Sequence, residues 1–235
     1  MLYLIGLGLN EKGLSKGAAD AVKRADKAYL ENYTVEFPYS ISTLEKELGV
    51  KIFPANRDLV EHAKELISEA AKKDVALLVY GSPLMATTHI ALLEEARKSK
   101  VKTKVLHAAS VFDAVAETGL QAYKFGKTAS MPKFPAESYL EILEGNQKIK
   151  AHTLILVDIG YKFKDALARL GDDANKKNVK LDKIVVCSRL GNNDGKIVYG
   201  SLEKLQNEGI MAPFCFVIPG ELHFLEREVL ENFNK

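Results

Sequence analysis

The chain has 235 residues, 47% of them hydrophobic, enough to bury a substantial core or two small ones without disulfides or metals. Its 33 Lys and Arg nearly cancel 31 Asp and Glu, so no strongly basic surface speaks for a nucleic-acid partner. No apolar run approaches the ~20 residues that span a bilayer, and the first residues lack a basic region or cleavage site, which reads as a cytoplasmic protein without a membrane segment.

In chain order, residues 2–5 read as a strand and 14–26 as a helix, with Ser15 as its cap and Ala18, Ala21, Val22 and Ala25 along one face. Strands follow at 28–31, 51–53, 75–80 and 104–107, separated by helices near 58–73 and 83–98. Short apolar runs alternating with helical patterns predict an α/β sheet rich in parallel strands. The run 75–80 lacks polar alternation, so it belongs at the centre, covered on both faces. Past residue 112 the rhythm loosens around Gly119, Gly126 and Pro132. The chain therefore divides into a parallel-rich α/β domain, 1–112, and a mixed-sheet α/β domain, 113–235. In the second, 152–159, 183–190 and 214–218 are strands. Asn192-Asn193-Asp194-Gly195 turns into a hairpin strand at 196–200, Pro219-Gly220 stops the last strand, and 222–233 reads as an amphipathic helix. Cys187 and Cys215 lie in apolar runs, as small buried hydrophobes do in a reducing compartment.

Gly6-Leu7-Gly8 follows the first strand, where missing side chains allow either close backbone approach to a ligand or a tight turn. The dinucleotide fingerprint needs a further glycine where Glu11 stands, and a carboxylate there would repel pyrophosphate, so NAD is disfavoured. Gly81-Ser82-Pro83 ends the central strand and is read as opening a helix, with Ser82 as cap. Ser110-Val111 lies beyond the 104–107 strand. All three loops fall at carboxyl ends of strands, where open α/β sheets collect ligands. The five histidines show no metal-ligand spacing, and no nucleophile elbow or phosphate-binding loop occurs, which argues against metal, hydrolase and NTPase chemistry. His107 and His152 flank strands as ordinary hydrogen-bonding residues. His89 reads first as a capping or packing residue.

Several segments together resemble the diphthine synthase branch of the tetrapyrrole methylase family of S-adenosylmethionine-dependent methyltransferases. These are 4–9, Glu31-Asn32-Tyr33-Thr34, Gly81-Ser82-Pro83-Leu84-Met85-Ala86-Thr87-Thr88-His89, His107-Ala108-Ala109-Ser110-Val111, Gly119-Leu120-Gln121-Ala122-Tyr123-Lys124-Phe125-Gly126, His152-Thr153-Leu154 through Asp158-Ile159, and Pro219-Gly220-Glu221-Leu222-His223. The resemblance implies two α/β domains with a cofactor cleft between them, usually in a homodimer. It implies that S-adenosylmethionine, leaving as S-adenosylhomocysteine, contacts Leu9, Ser82, Met85, Ser110, Val111, Val157, Leu190 and Phe214. The family commonly has Asp where this chain has Ser82. It further implies methylation of the amino group of a 3-amino-3-carboxypropyl-histidine on translation elongation factor 2, a step of diphthamide biosynthesis. Tyr33, Thr87, Thr88 and His89 are then candidates for substrate contact, and no side chain stands out as general base. The alternatives are a tetrapyrrole or ribosomal RNA methyltransferase of the same superfamily, or a non-catalytic module that binds the cofactor.

Overall fold

The computed structural model describes residues 1–234, which form two units, Met1–Asp113 and the part from Ala114 onward. In the first, β1 (Leu2–Gly6), β2 (Lys27–Glu31), β3 (Ile52–Ala55), β4 (Val75–Val79) and β5 (Thr103–Leu106) make one sheet in the order β3-β2-β4-β1-β5. Every pairing is parallel. β4 takes the central place and all five of its residues are buried, as its unbroken apolar run predicts.

Alternate strand residues serve opposite faces. Ile5, Leu30, Ala76 and Leu78 pack with α1 (Lys16–Arg24) and α2 (Ile41–Leu48) through Ala18, Val22, Leu44 and Leu48. Leu2, Leu4, Leu77 and Val79 pack with α3 (Arg57–Glu61), α4 (Lys64–Ala70) and α5 (Ile90–Lys98) through Val60, Leu66, Ile67, Leu92 and Ala96. The crossovers therefore leave the adjacent strands β1 and β4 toward opposite faces. Such a switch point opens a ligand crevice at the strands' carboxyl ends. Ser15 caps α1, its hydroxyl accepting from the Ala18 amide at 3.2 Å. Ser15→Ala should lower stability by about 1 kcal/mol in urea denaturation.

Two helical expectations change. The helix expected over 58–73 is two, because Ala63 adopts a left-handed backbone (φ 59°) between α3 and α4. The helix expected from Pro83 begins only at Ile90, so Ser82 caps nothing. Residues 83–89 instead form a turn with Ala86 left-handed (φ 53°). The Thr87 hydroxyl and the His89 ring both donate to the Pro83 carbonyl, at 3.3 and 3.0 Å, and hold the turn closed.

After α6 (Val111–Ala114), the second unit contains β6 (Ala129–Met131), α7 (Ser138–Lys148), β7 (Thr153–Val157), α8 (Phe163–Lys176), β8 (Ile184–Ser188), β9 (Lys196–Gly200), α9 (Leu202–Leu205), β10 (Phe214–Ile218) and α10 (Phe224–Glu231). Its sheet runs β6-β7-β10-β8-β9. β6 and β7 are parallel and the other pairs antiparallel, including the hairpin β8–β9. Ile155, Ile184, Val186, Phe216 and Ile218 bury one sheet face against α7, α8 and α9, led by Tyr139, Leu143, Leu167, Leu170 and Leu205. Cys187 and Cys215 face each other across β8 and β10 as buried free thiols. Among the described residues no helix is long and apolar enough to cross a membrane, and no group of three His, Cys, Asp or Glu could hold a metal ion.

Candidate cofactor and substrate site

Three turns from distant parts of the first unit meet at the carboxyl edge of its sheet. Gly8 and Gly81 join the turns after β1 and β4, each amide donating to the other's carbonyl at 3.2 and 2.9 Å. Both have left-handed backbones, with φ of 74° and 68°, which glycine adopts without strain. The turn after β5 completes the approach, since a Cβ on Gly6 would meet Ala108 Cβ at 3.1 Å and one on Gly81 would meet Ser110 Cβ at 3.5 Å.

Leu9, Ser82, Met85, Ser110 and Val111 lie on these three turns. Leu9 is nearly buried and its carbonyl accepts the Tyr80 hydroxyl at 2.9 Å. Ser82 is half-buried and Met85 is 44% exposed. The Ser110 amide and hydroxyl both donate to Asp113 Oδ2, at 2.7 and 3.1 Å, which fixes the entry into α6.

The remaining three expected residues share one edge of the second unit's sheet. β7 and β8 both run antiparallel to β10, so the carboxyl ends of β7 and β8 flank the start of β10. Val157 ends β7, Phe214 begins β10 opposite Ser188, and Leu190 lies two residues beyond β8. Phe214 stands edge-on to Phe163 and Phe216, with centroids 5.5 and 5.8 Å away. Arg189 fixes the turn leading to Leu190, its Nε donating to the Ala212 carbonyl at 2.7 Å and its guanidinium pairing with Asp194 at 2.6 Å. Each unit thus gathers its own share of the expected residues, most of them apolar. Apolar walls with backbone amides and carbonyls for orientation suit an adenosyl thioether.

Of the expected substrate contacts, Thr87 and His89 are engaged with the Pro83 carbonyl, and His89 is buried. Because a carbonyl only accepts, the His89 proton sits on Nδ1. Thr88 is exposed. Tyr33 follows β2, and its hydroxyl is buried with no hydrogen-bond partner among the described residues. Burial, then the negative charges of Glu31 and Glu61, push this hydroxyl up to about 12.

Sequence reasoning gave no role to two buried carboxylates. Glu31 ends β2 with no exposed surface. Glu226, also fully buried, collects the most distinctive segments of the second unit. Its Oε1 accepts from the Gln121 amide at 2.9 Å and from His152 Nε2 at 3.1 Å, and its Oε2 accepts from the His223 amide at 2.8 Å and from the Lys124 ammonium. The Gly220 amide donates to His152 Nδ1 at 2.8 Å, so the imidazole carries its proton on Nε2 and is neutral, as burial favours by lowering its pKa. The runs 119–126, 152–154 and 219–223 therefore converge on one carboxylate.

The sequence pattern of the tetrapyrrole (corrin/porphyrin) methylases matches residues 1–206. The chain belongs to this family. It is similar over almost its whole length to members called diphthine synthase. That of Methanococcus aeolicus is 36% identical over 98% of this chain and 97% of its own. A plant relative from Arabidopsis thaliana, named as a probable diphthine methyl ester synthase, is also 36% identical over 98% of this chain and 97% of its own. A crystal structure of diphthine synthase superposes with a TM-score of 0.92 at 34% identity, covering 99% of this chain and 95% of that one. As a tetrapyrrole methylase of this branch, the chain is an S-adenosylmethionine-dependent methyltransferase.

Proposed function

We propose that this methyltransferase acts as a diphthine synthase, methylating the amino group of the 3-amino-3-carboxypropyl-histidine of translation elongation factor 2. The observation that carries the reading is the meeting of the turns after β1, β4 and β5 at one sheet edge, in a chain whose full-length relatives bear that name. S-adenosylmethionine, when bound, supplies an electrophilic methyl carbon on a sulfonium. The protein's part is positioning, which needs no nucleophilic side chain. Backbone groups of the Gly8 and Gly81 turns orient the adenosyl moiety, with Ser82 and Ser110 beside them. Leu9, Met85, Val111, Val157, Leu190 and Phe214 exclude water. Thr87 and His89 shape the 83–89 turn, and Tyr33 and Thr88 face the acceptor. Methyl transfer would join the acceptor nitrogen to that methyl carbon as the C–S bond breaks, with the electron pair staying on sulfur and the ammonium proton leaving to solvent beforehand. The reading places the enzyme in the cytoplasm as a homodimer, with no nucleic-acid partner.

Incubated with S-adenosylmethionine, the elongation factor carrying the unmethylated side chain should gain methyl groups by mass spectrometry. The name of the plant relative motivates a second reading, methylation of the side-chain carboxylate as well as the amine. Mild alkali separates the two, removing an ester methyl and leaving N-methyl groups in place. An unchanged mass, in conditions where a related enzyme works, would refute both.

A further inference from the structure

From Glu31 and its surroundings we infer a recognition site for the cationic amino group of the methyl acceptor, formed by the Glu31 carboxylate with the Tyr33 hydroxyl. The inference rests on the proposed methyl transfer to an amine and adds the residues that would bind it. Glu31 Oε2 accepts from the Thr34 hydroxyl at 2.8 Å, whereas Oε1 is buried without a hydrogen-bond partner among the described residues. Among the described residues no ion pair reaches it. Arg57, which lies over the Tyr33 ring at 5.1 Å, pairs instead with Glu61 at 3.4 Å. A buried carboxylate with one idle oxygen and no counter-ion costs stability that packing does not return. A hydroxyl donor would satisfy the oxygen but leave the charge, so a cation is the complementary ligand.

The position fits an acceptor site. Leu30 pairs with Leu78 and Gly6 with Val79, so Glu31 is level with Val79 and Gly6 at the carboxyl edge. With strands ~4.8 Å apart, it lies roughly 10 Å across the sheet from the glycine turn of β1. Alternation sends its side chain to the face where Tyr29, Tyr33 and Leu84 pack, the face of the 83–89 turn. Asn32, next in the chain, is exposed and Tyr33 and Thr34 are half-buried, so the segment that follows Glu31 reaches the surface.

Glu31→Gln is the decisive variant, because its amide oxygen still accepts from Thr34. Its kcat/KM for the elongation factor should fall at least tenfold, chiefly through KM, while the Kd for S-adenosylhomocysteine stays within twofold. Without ligands it should melt at or above the wild-type temperature, since an uncompensated charge has gone. Methylammonium chloride should raise the melting temperature of the wild type more than sodium chloride at equal ionic strength, and should give Glu31→Gln no such advantage. A weakened Kd for S-adenosylhomocysteine would assign the carboxylate to the cofactor instead. A variant melting several degrees lower would make it structural, and an equal methylammonium response in both proteins would also overturn the inference. A wild type that responds to methylammonium yet leaves the elongation factor unmethylated would refute the proposed function and keep the cation site.

Discussion

Glu226→Ala should remove about 3–5 kcal/mol of stability, the range for deleting one partner of a buried, hydrogen-bonded charge cluster. The loss arises because the donors stay behind. The Gln121 and His223 amides, His152 Nε2 and the Lys124 ammonium all point at this carboxylate. Lys124 keeps only the Glu221 carbonyl, at 2.6 Å. Glu226→Gln should fare little better, since either amide orientation turns an NH2 group toward two donors where the carboxylate accepted from both. Acid should reproduce part of the effect. Burial alone would raise the Glu226 pKa, but its four donors hold it at about 2, against 4.5 for a free glutamate. A depressed folded-state pKa gives stability that is fully present above 4.5 and lost as pH falls toward 2, amounting to roughly 3 kcal/mol. Burial likewise keeps His152 neutral, so acidification below its ordinary 6.5 also favours the unfolded chain. Guanidinium unfolding between pH 7 and 3 should show the wild type losing stability on this limb and Glu226→Ala losing less. A variant within 1 kcal/mol of wild type at pH 7 would show the cluster to be dispensable.

What could be read in advance follows the range of the forces involved. The strands of the first unit and the hairpin after Ser188 are written in local apolar runs and turn residues, and the expected segments match the observed ones to within two residues or so. α8 carries an amphipathic signal in Phe163, Ala166, Leu167, Leu170 and Ala174, all buried, a spacing that marks a helix from local sequence alone. β6 has three residues and pairs only through its register with β7, which no local pattern reveals. The early start given to α5 had a different cause. Ser82-Pro83 is a sound opening for a helix, yet side chains four and six residues later capture the Pro83 carbonyl and close a turn first. Glu226 was hidden for a related reason. In α10 it looks like any helix-surface glutamate, and the groups that bury it come from 74 to 105 residues earlier, apart from the His223 amide. Glu31 likewise ends an ordinary apolar strand, and only the fold shows that one of its oxygens has no partner among the described residues.

Gly6→Ala is expected to weaken S-adenosylhomocysteine binding by one to two orders of magnitude, more than its effect on folding accounts for. The added Cβ would stand 2.6 Å from the Gly81 carbonyl oxygen, 2.8 Å from Pro83 Cδ and 3.1 Å from Ala108 Cβ. A backbone oxygen, a proline ring and an alanine methyl have no rotamer by which to retreat. The turns after β4 and β5 must therefore move away from β1, straining the mutual Gly8 and Gly81 hydrogen bonds. Overpacking of this kind costs typically 1–3 kcal/mol, less than the total stability of a typical domain. Shifts of about 1 Å among positioning groups, by contrast, cost on the order of a hundredfold in function. Gly17→Ala is the matched control. The same methyl added within α1 meets no heavy atom within 4 Å and should stabilise the helix by about 0.4–1 kcal/mol. Calorimetry at a temperature where all three proteins are fully folded should then give Gly17→Ala the wild-type affinity and Gly6→Ala a much weaker one. Unchanged affinity in Gly6→Ala would mean that the close approach of these turns serves only the fold, and would remove the main geometric support for a cofactor at this sheet edge.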